Sequence, residues 1–301
     1  MLSATERSLQ PVRARLVNRS VKAAVLVILS LLLHACATPT GELTSYAAQN
    51  DLERSKVRAA GFNLLVFDNF SKAQAHTRAN ILHIYLEGDG SPWKHRTIIM
   101  PDPTPRNPLM LRLMSKDPFP AAYIGRPCYN GTADEPACDN SLWTSARYSQ
   151  KIVNSMASAI RAMANRRRAD ELWLIGHSGG GTLAMLLAQQ LPKATRVVTL
   201  AGNLDIDAWT HHHGYTPLYS SLNPAVRLAL PGTITQWHLV GGRDSVVPPQ
   251  LTRPVIMRQE NASGFMFPQF GHGCCWEQFW PEILNSVVLD DPSGIPGTQF
   301  K

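Results

Sequence analysis

The chain has little long hydrophobic sequence. Its nearest approach to a membrane span, residues 23–33, falls short of the ~20 apolar residues a transmembrane helix needs. It has five cysteines but no C-x-x-C pair, so the sequence poorly supports a structural metal site. It has no internal repeat and no low-complexity block, which leaves out repeat architectures and wholly disordered chains. Net charge at pH 7 is +7, yet the excess is largely N-terminal. Residues 1–35 hold five basic residues and one acidic, so the rest carries 24 Lys and Arg against 21 Asp and Glu, net +3. That balance gives no argument for a nucleic-acid partner.

What the N-terminus does have is a basic stretch (Arg7, Arg13, Arg15, Arg19, Lys22) ahead of the short apolar run. This is the layout of an export signal. The run ends in Leu33-His34-Ala35-Cys36, which resembles a bacterial lipobox with an unusual histidine in the middle. The expectation is a signal peptide over residues 1–35 and lipidation at Cys36. The other reading is a conventional signal cleaved near Ala35. Several acyl chains would anchor firmly, since each buried methylene contributes roughly 0.8 kcal/mol. Ala37 follows the cysteine, where an aspartate would favour inner-membrane retention. The implied location is therefore the cell envelope, at the outer membrane and facing the periplasm. Residues 36–58, rich in Thr, Ser, Ala, Gln and Asn, read as a tether. Residues 59–289 read as one α/β domain, and residues 290–301, with Pro292, Gly294, Pro296 and Gly297, as a frayed tail.

Within the domain, apolar runs alternate with amphipathic ones. Strands are expected at residues 62–67, 81–86, 121–124, 172–175, 196–200, 234–240 and 265–267. Helices are expected near 109–114, over 145–168 and over 276–287. Arg166, Arg167 and Arg168 close the long helix, where they complement its dipole.

The most informative stretch is Gly176-His177-Ser178-Gly179-Gly180. It follows the apolar run 172–175 and precedes the helix-forming run 182–188. G-x-S-x-G in a strand–turn–helix setting is what a nucleophile elbow requires. The turn must lift a serine oxygen clear of the sheet, and the glycines leave room for that. A serine nucleophile needs a base and an orienting acid, in the chain order Ser, acid, His. Asp244 follows a strand and a Gly-Gly turn, and His272 ends the stretch after residues 265–267. All three would project from one edge of a parallel sheet. The candidate triad is Ser178, Asp244 and His272. Asp205 and Asp207 are rivals for the acid, and His177 adjoins the nucleophile, where it would shape the turn or the pocket.

GHSGGG, GGRDSVVP and FGHG, in that order, resemble the α/β-hydrolase superfamily over residues 60–288. EGDG, GRPC, AGNLD and HGCCW look like a group of bacterial α/β hydrolases with no settled substrate. The resemblance implies a mostly parallel sheet with helices on both faces, a Ser-His-Asp mechanism, and no cofactor or metal. It also implies an oxyanion hole made by Gly179 N–H and a donor from the Glu87–Gly90 loop, Asp89 or failing that Gly88. Many such hydrolases have His-Gly where this chain has Glu87-Gly88, and a carboxylate there is unwelcome unless its side chain turns away. Residues 203–231, with Trp209, Tyr215, Leu218 and Tyr219, read as a small cap over the substrate or as a packed surface loop. His211-His212-His213 within them lacks the spacing and carboxylates of a metal site.

An exported chain can form disulfides. Cys128 and Cys138 flank a short loop, and a local bridge is the simplest pairing. Cys274 and Cys275 could pair with each other, or one could tie the His272 loop to the 128–138 loop. Function is read as an envelope-anchored serine hydrolase acting on a small-molecule or lipid-like carboxylic ester or thioester. The alternatives are an acyltransferase or amidase on the same triad, a non-catalytic binding lipoprotein, or a thiol–redox protein working through Cys274-Cys275.

Overall fold

A computed structural model describes residues 38–75 and 79–301 of the chain. The expected signal peptide and Cys36 lie outside the described residues. Eleven strands are seen among these: β1 (Glu53–Ala59), β2 (Phe62–Asp68), β3 (Ile81–Leu86), β4 (Trp93–Lys94), β5 (Ile98–Ile99), β6 (Ala121–Ile124), β7 (Glu171–His177), β8 (Ala194–Leu200), β9 (Thr235–Gly241), β10 (Ala262–Phe267) and β11 (Thr298–Gln299). The helices are α1 (Pro39–Gln49), α2 (Leu109–Ser115), α3 (Gln150–Arg167), α4 (Gly179–Ala188), α5 (Ile206–His213), α6 (Pro249–Arg258) and α7 (Trp276–Leu289). No helix among the described residues is long and apolar enough to cross a membrane.

Nine strands form one sheet in the order β1-β2-β6-β3-β7-β8-β9-β10-β11, and β4 pairs with β5 in a separate hairpin. The six strands from β6 to β10 run parallel, and antiparallel pairs close both edges. Period-two alternation sends side chains to two cores. From β3, Leu82, Ile84 and Leu86 join α3 and α4 on one face, while Ile81 and Tyr85 meet α2 and α7 on the other. Both faces are covered, so the central strands are buried almost throughout, their few polar residues included.

Two terminal segments differ from their sequence reading. The expected tether is folded onto the domain. Thr38 caps α1 by accepting from Gly41 N–H at 3.1 Å, and Pro39 occupies the first turn. Leu43 and Ala47, four residues apart and so on one face, are fully buried. All of β1 pairs with β2, and Arg54, Lys56 and Arg58 alternate along this edge strand, where charge blunts pairing with a second chain. The expected frayed tail is ordered too. Phe265 pairs with Gln299 and Met266 with Thr298, Ile295 is buried, and the Phe300 ring lies where a Cβ on Gly264 would be. In both places a few apolar anchors in polar or Pro/Gly-rich sequence outweigh the composition.

The expected long helix starts later, at Gln150, because Ser149 caps it and residues 140–143 form a separate short turn. Cys128 and Cys138 are bridged with Cα atoms 5.6 Å apart. Cys274 and Cys275 are bonded to each other, so the His272 loop is not tied to the 128–138 loop.

Candidate active site

Because β3, β7, β9 and β10 run parallel in one sheet, the loops after them share one edge. The β3 loop carries Glu87–Gly90, the β7 loop Ser178, the β9 loop Asp244 and the β10 loop His272. Ser178, His272 and the Glu87–Gly90 loop line one cleft of about 1070 Å³.

Ser178 sits between β7 and α4 with φ 54° and ψ −121°, a conformation costing an L-residue roughly 1–3 kcal/mol. The surroundings over-determine it. Ser178 N–H donates to Leu200 O at 3.0 Å, and its carbonyl accepts from Gly181 N–H at 2.9 Å and Asn203 N–H at 3.0 Å. The turn is so tight that a Cβ on Gly176 would lie 2.2 Å from Gly180 O, and one on Gly180 would lie 2.0 Å from Leu86 O.

His272 Nδ1 lies 2.8 Å from Asp244 Oδ2. Asp244 is buried, and its Oδ1 accepts from Val246 and Val247 N–H, each at 2.8 Å. A carboxylate held this way fixes the His272 tautomer with the proton on Nδ1, leaving Nε2 basic. The β9 loop is held in turn by α5: Trp209 Nε1 donates to Val246 O at 2.8 Å, and His213 Nε2 meets the same oxygen at 2.9 Å. Asp205 is occupied elsewhere. It caps α5 through Asp207 and Ala208 N–H and accepts from Asn223 Nδ2, as Asp207 does.

His177 is drawn into the site. Its Nε2 lies 2.8 Å from His272 O, so it must donate, because a carbonyl only accepts. Burial first, and then the neighbouring His272, pushes its pKa down to about 3. It is a neutral brace at neutral pH. Trp276 Nε1 donates to the same His272 oxygen at 2.9 Å.

Gly179 opens α4, so its N–H has no acceptor within the helix. Gly88 N–H is taken by Glu87 Oε1 at 3.1 Å, whereas Asp89 N–H has no acceptor among the described residues. The Asp89 carboxylate does not leave the site: its Oδ1 would lie 2.1 Å from a Cβ on Gly179. It is neutralised instead. Tyr148 Oη donates to both its oxygens at 2.6 Å, and Arg126 Nη1 and Arg147 Nη1 pair with it at 2.9 and 3.0 Å. Burial would raise its pKa, but Arg126, Arg147 and Tyr148 together hold it below the usual carboxylate value. The sequence reading missed this cluster. Arg126 stands in the GRPC stretch, but nothing in the sequence pairs it with a residue 37 positions earlier. Beside it, burial pushes Glu87 up to about 7 despite hydrogen bonds from Gly88 and Met110 N–H.

The 203–231 segment does line the cleft, through Trp209, Tyr215 and Leu218, while Tyr219 faces solvent. No group of three His, Cys, Asp or Glu residues set to hold a metal ion occurs among the described residues.

No protein-family model matches the chain, and no curated protein matches it at significance. Solved structures do match in fold. The esterase Pf2001 of Pyrococcus furiosus superposes with a TM-score of 0.56 at 13% identity, covering 81% of this chain and 91% of that one. A putative lipase of Acinetobacter baumannii gives 0.56 at 13% identity, covering 87% and 99%. An alpha-beta serine hydrolase homologue of Coxiella burnetii gives 0.51 at 12% identity, covering 79% and 96%. The chain has the α/β-hydrolase fold. At this identity the likeness carries the fold and leaves activity to the site.

Proposed function

We propose that the protein is a serine hydrolase that cleaves a carboxylic ester or thioester through an acyl-enzyme. One observation carries the reading. Ser178 is held in a strained elbow, in the same cleft as a histidine whose Nδ1 is paired with a buried aspartate. Strain of this kind persists where function requires it. His272 Nε2 takes the Ser178 proton as Oγ attacks the carbonyl carbon. The oxyanion is met by Gly179 N–H, with the α4 dipole behind it, and by Asp89 N–H. Asp244 stabilises the imidazolium, which then protonates the leaving alcohol or thiol. Water, deprotonated by His272, attacks the acyl-enzyme and frees the acid and Ser178. No cofactor enters these steps.

The test is labelling by a fluorophosphonate probe, with turnover of esters of graded chain length. Ser178→Ala should lose the label and several orders of magnitude in turnover. Labelling that persists in the variant rules out Ser178 as nucleophile, and a native protein that neither labels nor turns over is the binding lipoprotein instead.

The envelope anchor belongs to the same proposal. It rests on Leu33-His34-Ala35-Cys36 at the end of the apolar run. Mass spectrometry of the mature N-terminus checks it: a diacylglyceryl Cys36 is expected, and an unmodified Cys36 there excludes lipidation. With Ala37 after the cysteine, fractionation should find the protein in the outer membrane.

A further inference from the structure

The cleft has an unequal charge lining. Its cations are Arg96, Arg106 and Arg147, and its carboxylates are Glu87 and Asp89. Both carboxylates are already spent. Asp89 faces two buried arginines, Arg126 and Arg147, so that trio keeps one positive charge in surplus beside Ser178. Glu87 accepts two backbone N–H groups, and burial holds its pKa near 7, so it carries less than a full negative charge at neutral pH. Among the described residues, neither Arg96 nor Arg106 has a carboxylate partner. The lining of the cleft therefore keeps a local surplus of positive charge.

Arg96 is also held in position. It sits with His95 in the loop of the β4–β5 hairpin, at φ 64° and 51°. Consecutive left-handed residues without glycine or asparagine cost roughly 1–2 kcal/mol each. The turn places the Arg96 guanidinium 5.4 Å from the ring centre of Tyr215, on the opposite wall. Stacking occupies the face of a guanidinium and leaves its in-plane N–H donors free, and these match the oxygens of a carboxylate or phosphate.

We propose that the ester cleaved at Ser178 carries an anionic group, a carboxylate or a phosphate, and that this group docks on Arg96 and Arg106 at the rim of the cleft. The apolar part of the substrate lies against Trp209 and Leu218, which line the same cleft. This rests on the hydrolase reading and names the substrate class for it.

Two matched pairs of esters test it. One pair is p-nitrophenyl butyrate and mono-p-nitrophenyl glutarate, which differ by a carboxylate on the acyl side. The other is phenyl acetate and 4-acetoxyphenyl phosphate, which differ by a phosphate on the alcohol side. In at least one pair the charged ester should have the higher kcat/KM, by about tenfold at low salt, and the advantage should shrink as salt screens it. In Arg96→Gln/Arg106→Gln the charged-to-neutral ratio in that pair should fall toward one. Neutral esters turned over as fast or faster in both pairs overturn the proposal, as does a preference that survives the double substitution. Calorimetric binding of the four esters to Ser178→Ala separates this from failure of the hydrolase reading. Absent turnover and labelling in the native protein sinks the chemistry. Tighter binding of a charged ester that depends on Arg96 and Arg106 still supports the rim, and equal binding of charged and neutral esters overturns it.

Discussion

His177 donates from Nε2 to the backbone oxygen of His272 across 2.8 Å, so the residue before the candidate nucleophile braces the loop of the candidate base. Their rings lie 4.7 Å apart. A second base at this position would compete for the serine proton, but a pKa pushed down to about 3 by burial and by His272 keeps His177 neutral and hydrogen-bonded. His177→Phe keeps the ring and removes the donor. One hydrogen bond contributes about 1 kcal/mol net, so kcat/KM should fall about fivefold to tenfold while the acid limb of the pH profile keeps its midpoint. A variant that loses that limb would make His177 the base.

Asp244 and Asp205 should separate cleanly. Asp244→Asn leaves the fold but removes the acceptor that fixes the His272 tautomer, and turnover should drop by about 10⁴. Asp205→Ala removes an α5 cap and an Asn223 partner, so it should cost about 1 kcal/mol of stability and leave most of the turnover. Urea melts and steady-state kinetics on the two variants decide. The reverse ranking moves the acid to the loop after β8.

The central parts of the fold were legible because each apolar run is bounded by turn residues. Ile81–Leu86 and Ala121–Ile124 match the sequence reading residue for residue. The site was legible through its backbone requirements: glycines around Ser178, and Asp244 and His272 just past strands. The ends were not, because Leu43, Ala47, Ile295 and Phe300 are single anchors in polar or Pro/Gly-rich context, and what they pack on is distant in sequence. The Asp89–Arg126–Arg147–Tyr148 cluster was hidden for the same reason. Its members come from three loops, and only the folded sheet brings them to Gly179.

Acid should destabilise the fold through two histidines. His238 is fully buried between Thr199 and Gln236, and burial, then Lys301, lowers its pKa to about 3. His177 is lowered alike. Between pH 6.5 and about 3 the unfolded chain binds protons that the native state refuses, so stability falls as pH falls. The slope is about 1.4 kcal/mol per pH unit for each histidine. Glu87 opposes this: its folded pKa near 7 against 4.5 in the open chain means it loses stability as pH rises between those values. The loss should therefore be gentle from pH 6.5 to 4.5 and steeper below. Chemical denaturation at pH 6.5, 5.5, 4.5 and 3.5 measures it, and His238→Gln should reduce the slope by one histidine's share. An unchanged slope in that variant would mean His238 is not the group refusing the proton.

Gly180 and Gly61 test the elbow against an ordinary turn. A Cβ on Gly180 meets the Leu86 carbonyl oxygen at 2.0 Å and the Glu87 oxygen at 2.8 Å. Both are backbone atoms of the segment leading into the Glu87–Gly90 loop, so neither can swing aside. Gly180→Ala must push α4 away from β3, shifting Gly179 against the Asp89 carboxylate beside it. Overpacking of this kind costs roughly 1–3 kcal/mol or more, and fluorophosphonate labelling of Ser178 should slow by orders of magnitude even where the variant still folds. Gly61 lies in the β1–β2 turn at φ 88°, with nothing within 4 Å of its added Cβ. Gly61→Ala should cost only the left-handed backbone penalty of about 1 kcal/mol and label at the native rate. A Gly180→Ala protein with native melting and native labelling would show that the close approach of the elbow to β3 is not what sets the nucleophile.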